Sequence, residues 1–206
     1  MAVLLNSAPE SLAEDVLPHK TWTRDELLLI ETTGVLDDTH YELIEGELID
    51  KMGKRPRHVK GTRETVIALE AVFGSANIIQ EAPIDVAPAD NPRNEPEPDV
   101  TALRRSFRSL ETNPQPSDIA LVVEIADTTL RQDLTTKARL YARAGISEYW
   151  VLDVRNRRLH VFREPAASGT YSVSFELDEA ASVSTLERPD QSVAVADLLS
   201  SPALGN

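Results

Sequence analysis

The apolar positions change period several times along the chain, and each change marks an element. Residues 1–20 keep no steady period and contain two prolines, so they read as a loose arm. Thr23 with Glu26 three residues on has the spacing of a capping box. It predicts a short helix to about Thr33, ended by Gly34. In HYELIEGELID (40–50), acids mixed with Tyr, Leu and Ile around Gly46 predict a hairpin or bent strand. Val59, Val66, Leu69 and Phe73 share one face of a helix over about 57–73, closed by Gly74. Residues 78–87 read as extended.

The second half is more regular. Residues 88–98 hold four prolines and exclude a helix or central strand. A strand starts near Pro98, and 106–117 form a polar loop. DIALVVEIA (118–126) is a nearly unbroken apolar run, as in a strand buried on both faces. A helix follows over about 130–144, ended by Gly145, with Leu130, Leu134, Ala138 and Tyr141 as its apolar stripe. Strands at 147–154 and 158–163 come next, then a last strand at 171–177 and a short helix over 190–200. The order predicts an α/β fold with a mixed central sheet flanked by helices on both faces. The expected organisation is an arm over 1–22, a single domain over 23–200 and a tail over 201–206.

Composition narrows the function classes. At 206 residues and 41% apolar content, one domain with a real core is expected. The absence of cysteine removes disulfides, thiolate zinc sites and a cysteine nucleophile, and fits a reducing cytoplasm. The N-terminus has no basic n-region, and no apolar run reaches membrane-span length, so neither a signal peptide nor a membrane location is expected. No phosphate-binding glycine loop, dinucleotide fingerprint, serine elbow or H-E-x-x-H occurs, and the four histidines make no zinc spacing.

The net charge of −13 argues at first against nucleic acid. Its distribution changes that. Residues 1–50 carry 12 acids and two bases, and 164–206 seven acids and one base, whereas 51–163 carry 18 bases and 15 acids. KMGKRPRHVKGTR (51–63) holds six bases and no acid. It is either a solvated face or a surface for a phosphate backbone, through Lys51, Lys54, Arg55, Arg57, Lys60 and Arg63.

Three polar residues stand where apolar ones are expected. Glu124 interrupts the buried run, Lys137 falls in the helix's apolar stripe, and Asp99 follows Pro98 at the start of a strand. Each has a bland reading: an ion pair for Glu124, a pair with Asp133 or a snorkelling stem for Lys137, a turn for Asp99. Together they make a minimal set for metal-assisted phosphodiester hydrolysis. Two carboxylates offer hard oxygen ligands to Mg²⁺, the metal activates water, and the lysine stabilises developing charge.

YELIEGEL (41–48), His58 opening a helix, PDV (98–100) and LVVEIADTTLRQDLTTKARLYARAGISEYWVLD (121–153) resemble the Uma-two family of endonuclease-like proteins, within the PD-(D/E)XK nuclease superfamily. The resemblance covers about 23–163 and implies a restriction-endonuclease-like core. Asp99 then matches the aspartate of PD and Glu124 the acid of (D/E)XK. Ala126 stands where the superfamily has lysine, and Lys137 matches a lysine displaced to the next helix. Glu42 and His58 match recurrent positions and are candidate additional active-site residues. They read equally as a solvent-facing strand residue and a helix-start cap. The aromatic pair Tyr149 and Trp150 reads as core. The resemblance implies a DNA endonuclease using Mg²⁺ (or Mn²⁺) with Asp99 and Glu124 as ligands. Cutting both strands of a duplex takes two sites, so a homodimer is expected. The displaced lysine and acidic ends keep open a catalytically weak or inactive fold acting as a DNA- or protein-binding module. A third reading, a purely structural ion-pair core with an unrelated small-molecule function, is supported if Glu124 and Lys137 touch in a closed, pocketless core.

Overall fold

The computed structural model describes residues 19–36, 40–51 and 55–199. The N-terminal arm up to 18, Lys54 and the tail from 200 lie outside these residues. Helix α1 (Arg24–Glu31) starts from the expected capping box, with Thr23 accepting from the Glu26 N–H and Glu26 accepting in return. Strands β1 (Tyr41–Ile44) and β2 (Glu47–Asp50) form a hairpin around Glu45 and Gly46, both at positive φ. That is the turn geometry whose twist matches paired strands. The backbone bridge between Leu43 and Glu95 ties this hairpin to the proline-rich segment.

Helix α2 spans Pro56–Phe73. Its buried stripe includes Val66, Leu69 and Phe73, as the period predicts, but Val59 is 50% exposed. Small residues, Gly61, Thr62 and Thr65, carry the stripe through the helix's N-terminal half instead. A β-carbon on Gly61 would lie 2.9 Å from Val154 Cγ1 and 3.1 Å from Ile125 Cγ2, so glycine sets how closely α2 approaches the sheet.

The central sheet has six strands in the order β3 (Ile78–Gln80), β4 (Val100–Leu103), β5 (Ile119–Ala126), β6 (Glu148–Asp153), β7 (Arg158–Ala166) and β8 (Thr170–Asp178). Only β5 and β6 run parallel, joined by the helical crossover. The extended segment 78–87 gives just three strand residues, and Pro83 cannot continue a ladder. Residues 190–200, expected as a helix, divide differently. Strand β10 (Arg188–Ala194) pairs with β9 (Ser182–Thr185), and only Val195–Leu198 are helical, as α5.

β5 and β6 are buried throughout. Leu121, Val123, Ile125, Trp150 and Leu152 belong to one core with α2, α5 and the β9–β10 hairpin. Val122, Ala126, Tyr149 and Val151 belong to the other, with the crossover helix and Ile44. The crossover is not one regular helix. α3 (Leu130–Gln132) and α4 (Ala138–Arg143) flank a π-helical turn, Asp133–Lys137. Among the described residues no helix is long and apolar enough to cross a membrane.

Candidate active site

Strand alternation and one wide helical turn build the site. Val122, Glu124 and Ala126 point to the same face of β5, so the glutamate faces the crossover helix. Val100 pairs with Val123, and continuing that register sets Asp99 across from Glu124. Cross-strand β-carbons of this kind lie about 4.5–5.5 Å apart. The π turn buries both Asp133 and Lys137 on its sheet side. Such turns concentrate at functional sites.

Asp99, Glu124, Lys137 and Glu42 are each only 4–5% exposed. Lys137 Nζ lies 2.9 Å from Glu42 Oε1 and 3.0 Å from Glu124 Oε1. The predicted alternative pair with Asp133 does not form; instead Asp133 accepts from Thr129 Oγ1 at 2.6 Å. Tyr141 OH donates to Glu124 Oε1 at 2.8 Å. His58 Nε2 sits 3.1 Å from Asp99 Oδ1, and the Ile125 N–H donates to Asp99 Oδ2 at 2.7 Å. Glu42, expected as a solvent-facing strand residue in the plain reading, is buried by the hairpin folding over the sheet.

All five candidates line one cavity of 240 Å³, with Lys51, Arg55, Asp127 and Asp133 around them. The closed, pocketless interior is thereby ruled out, although Glu124 and Lys137 do touch. Of the basic block, Arg55 reaches the rim of the cavity. Lys51 is engaged by the Glu97 carbonyl at 2.6 Å and carboxylate at 3.4 Å. Arg57, Lys60 and Arg63 are exposed on α2 outside the cavity lining.

Burial pushes the Glu124 carboxyl up to about 8; Lys137 opposes the rise, while Asp99, Asp133 and Glu42 add to it. Burial likewise lifts Asp133 to about 6. Asp99 is also buried, but His58 and the Ile125 N–H outweigh that and hold its carboxyl below the ordinary range. Burial disfavours the Lys137 ammonium, yet Glu124, Glu42 and Asp133 overcome it and hold the ammonium charged well above its ordinary value. The site is therefore a cation held among carboxylates of unequal acidity, a pattern that clusters at functional sites.

Among the described residues no group of three or more His, Asp or Glu side chains forms a ready metal cage. The donor chemistry nevertheless fits a hard divalent cation. Asp99 and Glu124 face the cavity, and Glu124 Oε2 takes no hydrogen bond from any described residue. Two carboxylates plus water suit Mg²⁺, which retains several of its waters. Two participants have weak sequence signals. Tyr141 lies four residues after Lys137 in the stripe and read as core. Asp133 read only as a partner for Lys137.

No curated protein matches the chain. Among solved structures it is similar to one described as a putative nuclease belonging to DUF820 from Anabaena variabilis ATCC 29413. The identity is 18%, the TM-score 0.64, and the match covers 85% of this chain and 96% of the other. At that identity the likeness speaks for the fold, a mixed sheet flanked by helices. Residues 24–196 match the sequence profile of the Uma2 family, described as "Putative restriction endonuclease", and over that span the chain belongs to this family.

Proposed function

We propose that the protein is a metal-dependent DNA endonuclease, hydrolysing phosphodiester bonds in the Asp99–Glu124–Lys137 cavity. The observation that carries this reading is the convergence of two strand-borne carboxylates and a helix-borne lysine in one open cavity. Asp99 and Glu124 would hold Mg²⁺ (or Mn²⁺). When bound, the metal polarises a phosphoryl oxygen and lowers the pKa of its water. Lys137, fixed between Glu42 and Glu124, presents a permanent positive charge to the attacking water or to the charge developing on phosphate. Glu42 positions Lys137. His58, against Asp99 Oδ1, positions that carboxylate. Arg55 at the rim, with Arg57, Lys60 and Arg63 on α2, provides a cationic flank for the backbone.

Nicking of supercoiled plasmid with Mg²⁺ or Mn²⁺ tests the proposal. Wild type should nick, Lys137→Ala should not, and chelation should stop the reaction. Equal cleavage by both, or by neither, overturns it. Light scattering tests the homodimer expected for duplex cleavage.

One observation favours a second reading, a non-catalytic DNA- or protein-binding module. Asp99 Oδ2 and Glu124 Oε1 already accept from protein donors, and His58 Nε2 lies 3.1 Å from Asp99 Oδ1. Calorimetric titration with Mg²⁺ separates the two: heat that Asp99→Asn abolishes supports the enzyme, and no heat supports the module.

A further inference from the structure

A second depression opens beside the cavity along the outer side of the crossover helix. It is lined by Thr128, Thr129, Arg131, Gln132, Thr135, Thr136 and Arg139. Thr128, Thr129 and Gln132 also line the cavity, so the two adjoin. In a chain with 34 acids and 21 bases, no acid among the described residues lines this groove. Arg131 and Arg139 are exposed. Most arginines between 143 and 188 are ion-paired, as Arg143 is to Glu45 and Asp90. Neither Arg131 nor Arg139 makes a side-chain hydrogen bond or ion pair with a described residue. Two unneutralised guanidiniums flank hydroxyl and amide donors, a combination suited to phosphate oxygens.

The spacing suits a backbone rather than a single phosphate. Arg131 lies on α3 and Arg139 on α4, with the π turn between them, so the two stand on separate turns of the crossover. Two cations set apart in this way can meet two phosphates of one strand. The π turn that buries Asp133 and Lys137 belongs to this same helical stretch.

We infer that this groove is a track for the phosphodiester backbone of the nucleic-acid substrate, with Arg131 and Arg139 as its phosphate contacts, leading a strand from the cavity along the crossover helix. It rests on the nuclease reading proposed above, and adds a contact surface distinct from the basic block at 51–63. Binding of fluorescein-labelled duplex DNA by anisotropy, in chelator and over 50–200 mM salt, tests it. Each phosphate contact contributes about 0.9 to the slope of log affinity against log salt. The double variant Arg131→Gln/Arg139→Gln should bind more weakly with a slope shallower by about 1.8. Arg108→Gln, an exposed control outside the groove, should match wild type. In the plasmid assay the double variant should raise KM and leave kcat near wild type. An unchanged slope with wild-type affinity overturns the groove while leaving the nuclease reading intact. Failure of wild type both to bind and to nick overturns both. Matching thermal melts of variant and wild type show that binding, not folding, has changed.

Discussion

Lys137 Nζ lies 3.0 Å from Glu124 Oε1, the lysine on a π turn and the glutamate in the middle of a buried strand. Glu42 completes the arrangement from a separate hairpin at 2.9 Å. One ammonium therefore holds two buried carboxyl groups together, and most of the site's properties follow from it.

Replacing Lys137 with methionine leaves Glu42 and Glu124 buried without their cation. Removing one partner of a buried pair costs about 3–5 kcal/mol. Urea unfolding of Lys137→Met should show a lower midpoint with unchanged m. Adding Glu42→Gln should recover part of that stability, because one orphaned charge is gone, but nicking should stay absent. Recovery of activity in the double variant would show that Lys137 acts only structurally.

Stability should depend on pH in a direction set by Glu124. Its folded carboxyl is raised from 4.5 to about 8 by burial, so it keeps a proton that the unfolded chain has already released. Unfolding free energy then falls as pH rises through that interval. Asp133, raised from 3.8 to about 6, acts the same way over a lower window. Asp99, lowered from 3.8, contributes stability above that value and loses it on acidification. Unfolding in urea at pH 5 and pH 8 should find the protein more stable at pH 5. Glu124→Gln should remove much of the difference; an undiminished difference would place its origin elsewhere.

Asp99→Asn should abolish calorimetric Mg²⁺ and Mn²⁺ binding while the chain remains folded. The amide keeps an oxygen for the Ile125 N–H but loses the charge that a divalent ion requires. Asp99→Ala should also cost stability, about 1–3 kcal/mol, because it leaves that buried N–H unpaired. Wild-type metal affinity in Asp99→Asn would remove the aspartate from the ligand set.

Gly61→Ala should destabilise the protein although alanine favours helix by about 1 kcal/mol. The new β-carbon would meet Val154 and Ile125 at 2.9 and 3.1 Å, both side chains of the core. Overpacking of that kind costs about 1–3 kcal/mol. The shift of α2 should also carry His58 away from Asp99 and reduce nicking. A higher melting temperature for Gly61→Ala would show that the helix can give at this point.

Much of this was readable in one dimension. A capping box, a glycine turn, a two-side-buried strand and an apolar helical stripe each have local periods, so α1, the β1–β2 hairpin, β5 and the crossover helix could be placed. Glu124 and Lys137 stood out because each breaks an apolar pattern, where a polar residue must find a partner. Where local signals are weak, tertiary contacts decide the element. Residues 188–194 have no strict alternation, yet pairing with β9 makes them a strand. Val59 fitted the helical period and is exposed, because Gly61 and the two threonines make the close contact with the sheet.

The α/β layering, the position of the buried central strand and the identity of the polar residues in need of partners are written in the order of residues, because these depend on neighbours near in the chain. Who the partners are depends on how the chain folds. Glu42 rather than Asp133 meets Lys137, His58 meets Asp99, Tyr141 meets Glu124, and Lys51 is engaged by Glu97. These pairings depend on strand register, on a hairpin folding over the sheet and on one π turn, which bring together residues far apart in the chain. The charge shows the same division. Composition gives −13 for the whole, but the fold gathers Arg131 and Arg139 into a groove that no acid among the described residues lines, beside the cavity.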